Sequence, residues 1–523
     1  MELEIKEKFV SGVRPRNVGL LVLLVLCSIF LFFGPTDNWS WDPSFYYAQL
    51  RSPIIDGDLD LSQEVIPAEQ LTPHPVTGLV GSVWPMGVSI SWSPFFLAAH
   101  IVTLATSGRQ AADGLTPMYI AAVGAGSALY GLMGVLITYR ICRMFARRDL
   151  AALSACLVLL ATPLFFYVYR QPLMGHTIGM LVVALLLYSV IQIQQDRIPF
   201  RYSGLLLGTL VGLSTATRWI GATTGVFPAL LFLMYLIPAL RQRDWPQVRA
   251  VIRQMLIAGL AASMMLLPQL ALWHRLYDQW LRVPVPGQLF TTRTTWLPPY
   301  IPHLFVHTNR GLLYWAPLLV VGMIGLFRVQ PIKLRVILLS YLAAYCYVLG
   351  SFVTWHGGGG YGARYFIESL PVLAVGFVVL LRDVWSMRWG RLVIIGLGGV
   401  LIMHQLVLVT IVEQGWLPLQ AYYTGEPLGL RYQWDGLSRL VEHPGDLLLP
   451  RPKIAAPHQT AITNLVTGPH PWTVYQIPLV ACVVIGCGLI AYHYLARLRF
   501  LPLLTGLIIA YMLSWFWFLL IAI

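Results

Sequence analysis

The chain has 523 residues, of which 57% are hydrophobic and 11% are charged, and its formal net charge is +13. Soluble domains carry about 25% charged residues, so this composition excludes an ordinary soluble protein. The bases lie mainly in short clusters between apolar runs, a pattern that sets membrane topology, and we therefore expect no nucleic-acid partner. All six cysteines lie in or at the ends of apolar runs, without the spacing of a zinc site or a disulfide framework.

Apolar runs of about 17–25 residues recur along the chain and match the thickness of a bilayer core. They are too long for barrel strands, and lipid does not tolerate open sheet edges, so we expect helices. The predicted fold class is an all-α polytopic membrane protein with about 11–13 transmembrane helices and juxtamembrane helices on the outer face. The predicted spans are residues 18–33, 118–139, 150–167, 173–193, 203–217, 221–240, 254–273, 311–327, 336–353, 365–381, 392–411 and 474–495, and a last span closes the chain.

The clusters of basic residues give these spans their orientation. Residues 1–17 are short and charged, and the densest basic cluster lies at 140–148, so we place both in the cytoplasm. The segment 84–105 is apolar but contains Pro85 and Pro94. If residues 1–17 and 140–148 are both inside, this segment cannot cross the membrane. We therefore predict that 84–105 is a broken re-entrant or juxtamembrane helix.

The first outer loop, residues 35–117, begins with a run rich in acids. Residues 37–69 hold seven of the 22 acids of the chain and a single base, Arg51. Asp42 followed by Pro43 predicts a helix N-cap with proline in the first helical turn, and a short surface helix over 44–51. Asp42 is also our first candidate for a general base, with Asp58 as a second carboxylate.

The run Asp56-Gly57-Asp58-Leu59-Asp60 has the alternating acids of a calcium-binding loop. Leu61 stands where such a loop needs glycine, however, and Pro67 stands where it needs a bidentate glutamate. We therefore expect a solvated acidic turn and no certain cofactor, with a divalent metal ion as the alternative.

A second set of bases is scattered over the predicted outer face. Arg170 and His176 flank the start of span 173–193, and Arg218 lies at the tip between spans 203–217 and 221–240. Each of these side chains is either part of an outer site or an interfacial side chain that reaches the lipid headgroups.

Two further arginines open later spans. Arg310 precedes span 311–327, and Arg364 follows the glycine run 357–360 and opens span 365–381. A glycine-rich turn that leads into a helix N-terminus offers free N–H groups and the helix dipole to an anion. The spacing matches neither a nucleotide-binding nor a dinucleotide-binding motif. A flexible interfacial loop is the alternative interpretation.

A transferase on the outer face has no pool of nucleotide sugars, so its activated donor must come from the membrane. A polyprenyl-phosphate sugar meets this need, because its tail lies among the helices and its phosphate lies at the interface. The chemistry needs a carboxylate that accepts a proton from the acceptor hydroxyl. It also needs cations that hold the phosphate as negative charge develops on it. The sequence provides both kinds of group on one side.

Four motifs together resemble the GT-C glycosyltransferases, the superfamily of protein O-mannosyltransferases and lipid A aminoarabinose transferases, from the first span to span 365–381. They are Trp41-Asp42-Pro43…Tyr46-Tyr47 followed by Asp56-Gly57-Asp58-Leu59-Asp60-Leu61, Trp84-Pro85-Met86-Gly87…Pro94-Phe95-Phe96, Asn309-Arg310-Gly311-Leu312-Leu313…Pro317, and Gly362-Ala363-Arg364-Tyr365-Phe366. Many relatives have paired acids where this chain has Asp42-Pro43. The choice of base between Asp42 and Asp58 therefore stays open.

The resemblance implies inverting transfer of a sugar from a polyprenyl-phosphate donor to an acceptor glycan, lipid or protein, and it leaves metal dependence open. The orientation predicted from the basic clusters places the active site on the outer face of the plasma membrane. Residues expected to line the lipid-phosphate and sugar site are Trp41, Tyr46, Arg170, His176, Arg218, Arg310, Arg364 and Tyr365.

The predicted organisation is a GT-C-like transmembrane catalytic module over 1–411, an extracytoplasmic polar segment over 412–473 and a C-terminal transmembrane hairpin over 474–523. Two other functions remain open. A transporter or lipid flippase usually has ionisable residues near the midplane and internal symmetry, and we find few such charges and no repeat. A non-catalytic scaffold would use the polar segment to bind a partner.

Overall fold

A computed structural model describes residues 41–444 except 65, 67–71, 83, 281–299, 309, 353 and 417–429. The predicted spans 18–33 and 474–495, the closing span, the proposed C-terminal hairpin and most of the polar segment 412–473 lie outside these residues.

The described chain is built from α-helices, with short 3-10 turns between several of them. A π-helical turn, Ser52–Asp56, extends the first helix, and 3-10 turns occur at Arg109–Ala111, Phe200–Tyr202, Trp219–Gly225 and Arg364–Ser369. The helices are α1 (Trp41–Arg51), α2 (Gly87–Ser107), α3 (Pro117–Cys142), α4 (Arg148–Leu160), α5 (Leu164–Tyr169), α6 (His176–Gln194), α7 (Ser203–Thr217), α8 (Val226–Arg241), α9 (Trp245–Tyr277), α10 (Ile301–Val306), α11 (Leu312–Trp315), α12 (Pro317–Leu326), α13 (Ile332–Ser351), α14 (Leu370–Trp385), α15 (Gly390–Glu413) and α16 (Leu430–Glu442).

Eight helical segments of the described chain are long and apolar enough to cross a membrane. They are Gly87–Ser107, Pro117–Cys142, His176–Gln194, Trp219–Arg241, Trp245–Tyr277, Ile332–Ser351, Arg364–Trp385 and Gly390–Glu413. The prediction of an all-α polytopic membrane protein is therefore confirmed. Two predicted spans are interrupted, because Pro163 separates α4 from α5 and Pro317 begins α12 directly after α11. Proline removes a backbone donor, so a helix tends to end before it.

The prediction of a broken helix over 84–105 was wrong. Helix α2 runs without interruption through Pro94, and it is long and apolar enough to span a bilayer. The hydroxyl of Ser91, one turn before Pro94, donates a hydrogen bond to the carbonyl of Gly87 at 2.7 Å. A helix can tolerate an internal proline at the cost of one backbone hydrogen bond and a local bend.

The contacts of α2 favour the prediction that it does not cross. Val88, near its start, faces Gly175 just before α6, and Tyr130 of α3 donates a hydrogen bond to the carbonyl of Ser91. The end of α3 lies at the opposite end of α6, where Gln192 contacts Met144. Helix α3 therefore starts at the end of the bundle where α6 starts. A short link, 108–116, joins α2 to it, so both ends of α2 lie on that side.

Glycines set the spacing between the most closely packed helices. Gly204, Gly208 and Gly212 recur every fourth residue on α7 and face the backbone of α9. A Cβ atom on Gly208 would lie 2.6 Å from Ala258 Cα, so a larger side chain cannot fit. Small residues at this spacing let two helix backbones approach within a membrane. The pair α12 and α14 is built in the same way around Gly322, Gly325 and Gly376.

Helix α6 lies at the centre of the bundle, with its apolar length buried among other helices. Its first residue, His176, marks one end of the bundle. Arg218 directly follows α7, and Arg364 begins the 3-10 turn that leads into α14. These termini meet at the same end, and α1 lies across them. The fold thus gathers polar side chains from distant parts of the sequence at one end of an apolar bundle.

Candidate active site

An ion pair between Asp42 and Arg364 joins α1 to the start of the 364–369 turn. Arg364 Nη1 donates to Asp42 Oδ2 at 3.0 Å, and the two side chains are 11% and 18% exposed, respectively. Asp42 lies inside the first turn of α1, which begins at Trp41. The prediction of Asp42 as an N-cap was therefore wrong. A partner 322 residues away holds the carboxylate instead of the local backbone.

The glycine run before Arg364 folds around its guanidinium group. Gly357, Gly358 and Gly362 have φ values of +77°, +61° and +59°, a left-handed region that favours glycine. A Cβ atom on Gly360 would lie 2.7 Å from Arg364 Nε. The run is therefore needed because the backbone must turn closely about this side chain.

A second buried cluster holds Arg218. Its Nη1 donates to Glu368 Oε1 at 2.8 Å and contacts His176 Nδ1 at 2.6 Å. The Glu368 side chain is 3% exposed, and its Oε1 lies 3.8 Å from His176 Nδ1. Gly179 leaves the space for it, since a Cβ atom there would lie 2.7 Å from Glu368 Cγ. Arg218 is thus fixed by one carboxylate and one imidazole.

Tyr365 links the two arginine clusters. The Arg218 guanidinium carbon lies 4.7 Å from the Tyr365 ring centroid, and that of Arg364 lies 5.5 Å from it. A guanidinium group within about 6 Å of an aromatic ring is attracted by the ring quadrupole. The backbone of Tyr365 is held as well, because its carbonyl accepts a hydrogen bond from the hydroxyl of Tyr345.

Tyr46 lies near the charged side chains of both clusters. Its ring is buried and packs edge to face on Trp92 at 6.0 Å. Burial raises the pKa of the Tyr46 phenol, and the negative charge of Asp42 raises it further, whereas Arg218 and Arg364 lower it. One phenol in α1 therefore lies within the electrostatic reach of both clusters. Tyr46 belongs to the site as a wall residue whose proton is firmly held.

Arg310 and His356 complete the cluster on the side of α10 and α11. Arg310 is 2% exposed, and its guanidinium carbon lies 4.9 Å from the Trp315 ring. Arg310, His356 and Arg364 line a common recess of about 220 Å³, counted with its open mouth. Burial and the nearby arginines lower the pKa of His356 to about 3. The imidazole is therefore neutral at physiological pH, and its Nδ1 accepts a hydrogen bond from the backbone N–H of Gly358.

Gln405 of α15 stabilises the glycine-rich turn and the end of α11 through hydrogen bonds. Its Oε1 accepts a hydrogen bond from the Tyr361 hydroxyl at 3.0 Å, and its Nε2 donates to the carbonyl of Trp315. Tyr167 of α5 donates to the carbonyl of Tyr361 at 3.1 Å. Hydrogen bonds with two separate helices, α5 and α15, thus fix the glycine-rich turn, which otherwise contains few side chains that could pack.

Two predicted site residues have partners other than those of this group. Asp58 Oδ1 accepts hydrogen bonds from Ser52 Oγ and the backbone of Asp60, in an exposed turn. Ser52 follows α1, so about 15 Å of helix separates this turn from Asp42. Arg170 pairs with Glu413 at the end of α15. The side chain of Trp41 lies outside the described part of the structure.

The remaining acids of the loop stabilise its fold. Arg51 Nη1 lies 2.6 Å from Asp56 Oδ2 and 2.9 Å from Glu64 Oε1. Asp60 Oδ1 accepts a hydrogen bond from the backbone of Val80 at 2.8 Å. Among the described residues, no three histidine, cysteine or acidic side chains are grouped as a metal site would require.

Sequence reasoning missed Glu368, His356 and Gln405. Glu368 had a usable signal, since an ionisable residue within an apolar span marks a functional or paired position. His356 stands directly before the glycine run 357–360, and this position is the signal that could have found it. Gln405 gave no signal, because an isolated amide in an apolar helix does not indicate its partner.

Comparisons with known proteins give distant structural similarities. No protein-family model matches the sequence, and no curated protein matches it. The fold is similar to that of ArnT from Cupriavidus metallidurans bound to undecaprenyl phosphate, with 16% identity and a TM-score of 0.44 over 93% of this chain and 79% of ArnT. It is also similar to the archaeal oligosaccharyltransferase AglB from Archaeoglobus fulgidus in complex with an inhibitory peptide and a dolichol-phosphate.

For AglB the identity is 14% and the TM-score is 0.43 over 84% of this chain, which spans 60% of the AglB chain. At such identities and TM-scores, neither similarity assigns a function to the chain.

Proposed function

We propose that the chain is an integral membrane glycosyltransferase. It moves a sugar from a polyprenyl-phosphate donor to an acceptor on the outer face of the plasma membrane, and Asp42 is the general base. One observation carries this proposal. Three arginines and a partly exposed carboxylate, drawn from distant parts of the sequence, meet at one end of an apolar helical bundle.

The charge of the cluster suits a lipid phosphate. Arg218, Arg310 and Arg364 contribute three positive charges, and Asp42 and Glu368 contribute two negative charges. The cluster therefore has one net positive charge, while His356 is neutral. Guanidinium groups match the geometry of phosphate oxygens and are the preferred residues for buried phosphate contacts.

The reaction needs one proton acceptor and a stabilised leaving group. The acceptor hydroxyl gives its proton to the Asp42 carboxylate as its oxygen bonds to the anomeric carbon of the sugar. The bond from that carbon to the phosphate oxygen breaks, and its electron pair stays on the lipid phosphate. The arginines stabilise the charge that develops there. Attack opposite the leaving group inverts the anomeric centre.

The position of Asp42 suits the role of general base. In the described structure, its Oδ2 is held by Arg364, and no described residue donates a hydrogen bond to its Oδ1. Glu368 is almost completely buried and has both Arg218 and His176 beside it. Of the two carboxylates in the cluster, Asp42 is thus the one that a substrate hydroxyl can reach.

The test is Asp42→Asn, with Asp58→Asn as the matched control in the same loop. Because a positioned general base contributes about 10²–10⁴-fold to a rate, we expect Asp42→Asn to lose transfer by about that factor. Asp58→Asn should keep nearly full activity. Transfer is measured with purified protein, a radiolabelled polyprenyl-phosphate sugar and a membrane extract that supplies the acceptor. Full activity of a correctly folded Asp42→Asn protein would contradict the assignment of the base.

A further inference from the structure

Helix α16 packs against the end of α15 along one of its faces. Gly436 lies on Ile411, since a Cβ atom on this glycine would come within 2.7 Å of the Ile411 side chain. Arg439 lies over the ring of Trp416, with 5.9 Å from its guanidinium carbon to the ring centroid. Leu440, one turn after Gly436, is 7% exposed. These contacts define the packed face of α16.

A second face of α16 is apolar and exposed. Trp434, Leu437 and Val441 are 70%, 38% and 74% exposed. Their spacing of three and four residues places them on one side of a helix. Polar residues at the same spacing, Asp435, Ser438 and Glu442, occupy another side. The helix therefore has an exposed apolar stripe, formed by Trp434, Leu437 and Val441, next to its packed face.

The contact with α15 fixes the depth of α16 relative to the bundle. Helix α15 is one of the segments able to span a membrane, and it ends at Glu413. Ile411, which contacts Gly436, lies two residues before that end, or about 3 Å along the helix axis. The middle of α16 is thus at the level where a spanning helix leaves the hydrocarbon core.

Helix α16 itself is too short to span the membrane. Its 13 residues extend over about 20 Å, whereas a bilayer core is about 30 Å thick. The neighbouring helix α15 exposes Leu392, Ile395 and Val400, as a lipid-facing helix does. These residues lie about 16–28 Å along the helix axis from Ile411, where α16 packs, so the depth of α16 is set by its contact with the end of α15.

We propose that α16 is an interfacial helix whose stripe of Trp434, Leu437 and Val441 binds the outer leaflet of the membrane. Amphipathic helices bury an apolar face between the headgroups and the acyl chains, and tryptophan is enriched at that depth. The occupant of the stripe is lipid, not a protein. The inference rests on the packing of α16 and is independent of the proposed sugar transfer.

The experiment measures the depth of single spin labels in the full-length protein. The six native cysteines are replaced, and one cysteine is introduced at 434, 437, 441, 435, 438 or 442. The protein is reconstituted in vesicles of phosphatidylcholine and phosphatidylglycerol. Collision rates of each label are measured with oxygen, which concentrates in lipid, and with a nickel chelate, which stays in water.

We expect the oxygen-to-nickel ratio to be severalfold higher at 434, 437 and 441 than at 435, 438 and 442. If all six positions collide freely with nickel, the stripe lies in water and the proposal is overturned. If the three stripe positions are shielded from both reagents, protein covers the stripe, from this chain or from another copy. That result also overturns the proposal.

A second comparison tests whether the stripe holds the helix in place. In a protein labelled at 434, Leu437→Ser with Val441→Ser should lower the oxygen-to-nickel ratio severalfold. The matched control, Asp435→Ser with Ser438→Ala, changes the polar side and should leave the ratio unchanged. An equal effect of the two double variants would show that binding of lipid by the stripe does not hold α16.

Discussion

Glu368 shows how one buried carboxylate can organise a site. Its side chain is 3% exposed, and its Oε1 accepts a hydrogen bond from Arg218. A buried charge is costly to desolvate, so it persists only with a partner, and removing one partner leaves the other uncompensated. If Arg218 and Glu368 were separated, each buried charge would need water, and the surrounding side chains would have to lose their packing. Through Arg218, Glu368 also fixes the guanidinium group against Tyr365.

We predict that Glu368→Ala destabilises the protein strongly. The substitution leaves the buried Arg218 without a carboxylate partner, and the expected loss is about 3–5 kcal/mol. Glu368→Gln keeps the shape and one hydrogen-bond acceptor, so it should cost clearly less. Thermal unfolding in detergent, followed by loss of a monodisperse elution peak, gives the comparison. An Ala variant as stable as the wild type would show that Arg218 does not depend on this partner.

The buried carboxyl group of Glu64 should make the stability of the protein depend on pH. Burial raises its pKa to about 7, although Arg51 lowers it. Between its ordinary value of 4.5 and about 7, the folded protein binds more protons at Glu64 than the unfolded chain does. The stability that Glu64 contributes is thus fully present below 4.5 and is lost as the pH rises through 7.

The measurement compares wild type with Glu64→Gln, whose side chain cannot ionise. From pH 5 to pH 8 we expect the wild type to lose stability relative to the variant, by up to about 3 kcal/mol. Melting temperatures of both proteins over that range give the difference at each pH. A difference that stays constant, or that grows in favour of the wild type, would contradict the raised pKa.

At the scale of elements, the helix packing depends on glycines in α7. Gly208 faces backbone atoms of α9, and unlike a flexible side chain these atoms cannot move aside for a larger residue. We predict that Gly208→Leu separates the two helices and destabilises the protein by about 1–3 kcal/mol or more. Gly259 of α9 is the matched control, because a Cβ atom there would meet nothing within 4 Å. Equal melting temperatures for Gly208→Leu and Gly259→Leu would contradict this packing.

Most helices could be predicted from apolar runs, and α7 was predicted with its observed bounds, 203–217. The length of helix α9 was underestimated. The helix begins at Trp245, within the basic stretch that precedes the apolar run, and not near residue 254. Asp244 caps it by accepting a hydrogen bond from the backbone of Gln247. Hydropathy locates the part of a helix that lies in lipid, whereas capping determines where the helix itself begins.

At the scale of the whole molecule, the ion pair between Asp42 and Arg364 restricts the topology. Both residues must lie on one side of the membrane, together with His176 and Arg218. If α2 crossed the membrane, α6 would begin on the side opposite to α1. His176 and Arg218 would then lie on the other side from Asp42, and these groups could not meet. A helix α2 that does not cross the membrane satisfies the contact.

We predict that single cysteines at Gln63 and Ser107 react with a membrane-impermeant maleimide from outside the cell, and that one at Gln195 does not. These positions are exposed and lie before α2, at the last residue of α2 and directly after α6. The six native cysteines are replaced first. Labelling of intact cells is compared with labelling after permeabilisation. Protection of position 107 in intact cells, with 63 reactive, would show that α2 crosses.

The sequence by itself determined the helical membrane fold, because apolar runs of bilayer length have few other stable structures. It also indicated Asp42, Arg218, Arg310 and Arg364, because bases and acids at the ends of apolar spans stand out. Only the tertiary structure decided which of them meet. It joined Asp42 to Arg364, Asp58 to Ser52 and Arg170 to Glu413. Ion pairs form between residues hundreds of positions apart, and local patterns contain no information about such distances.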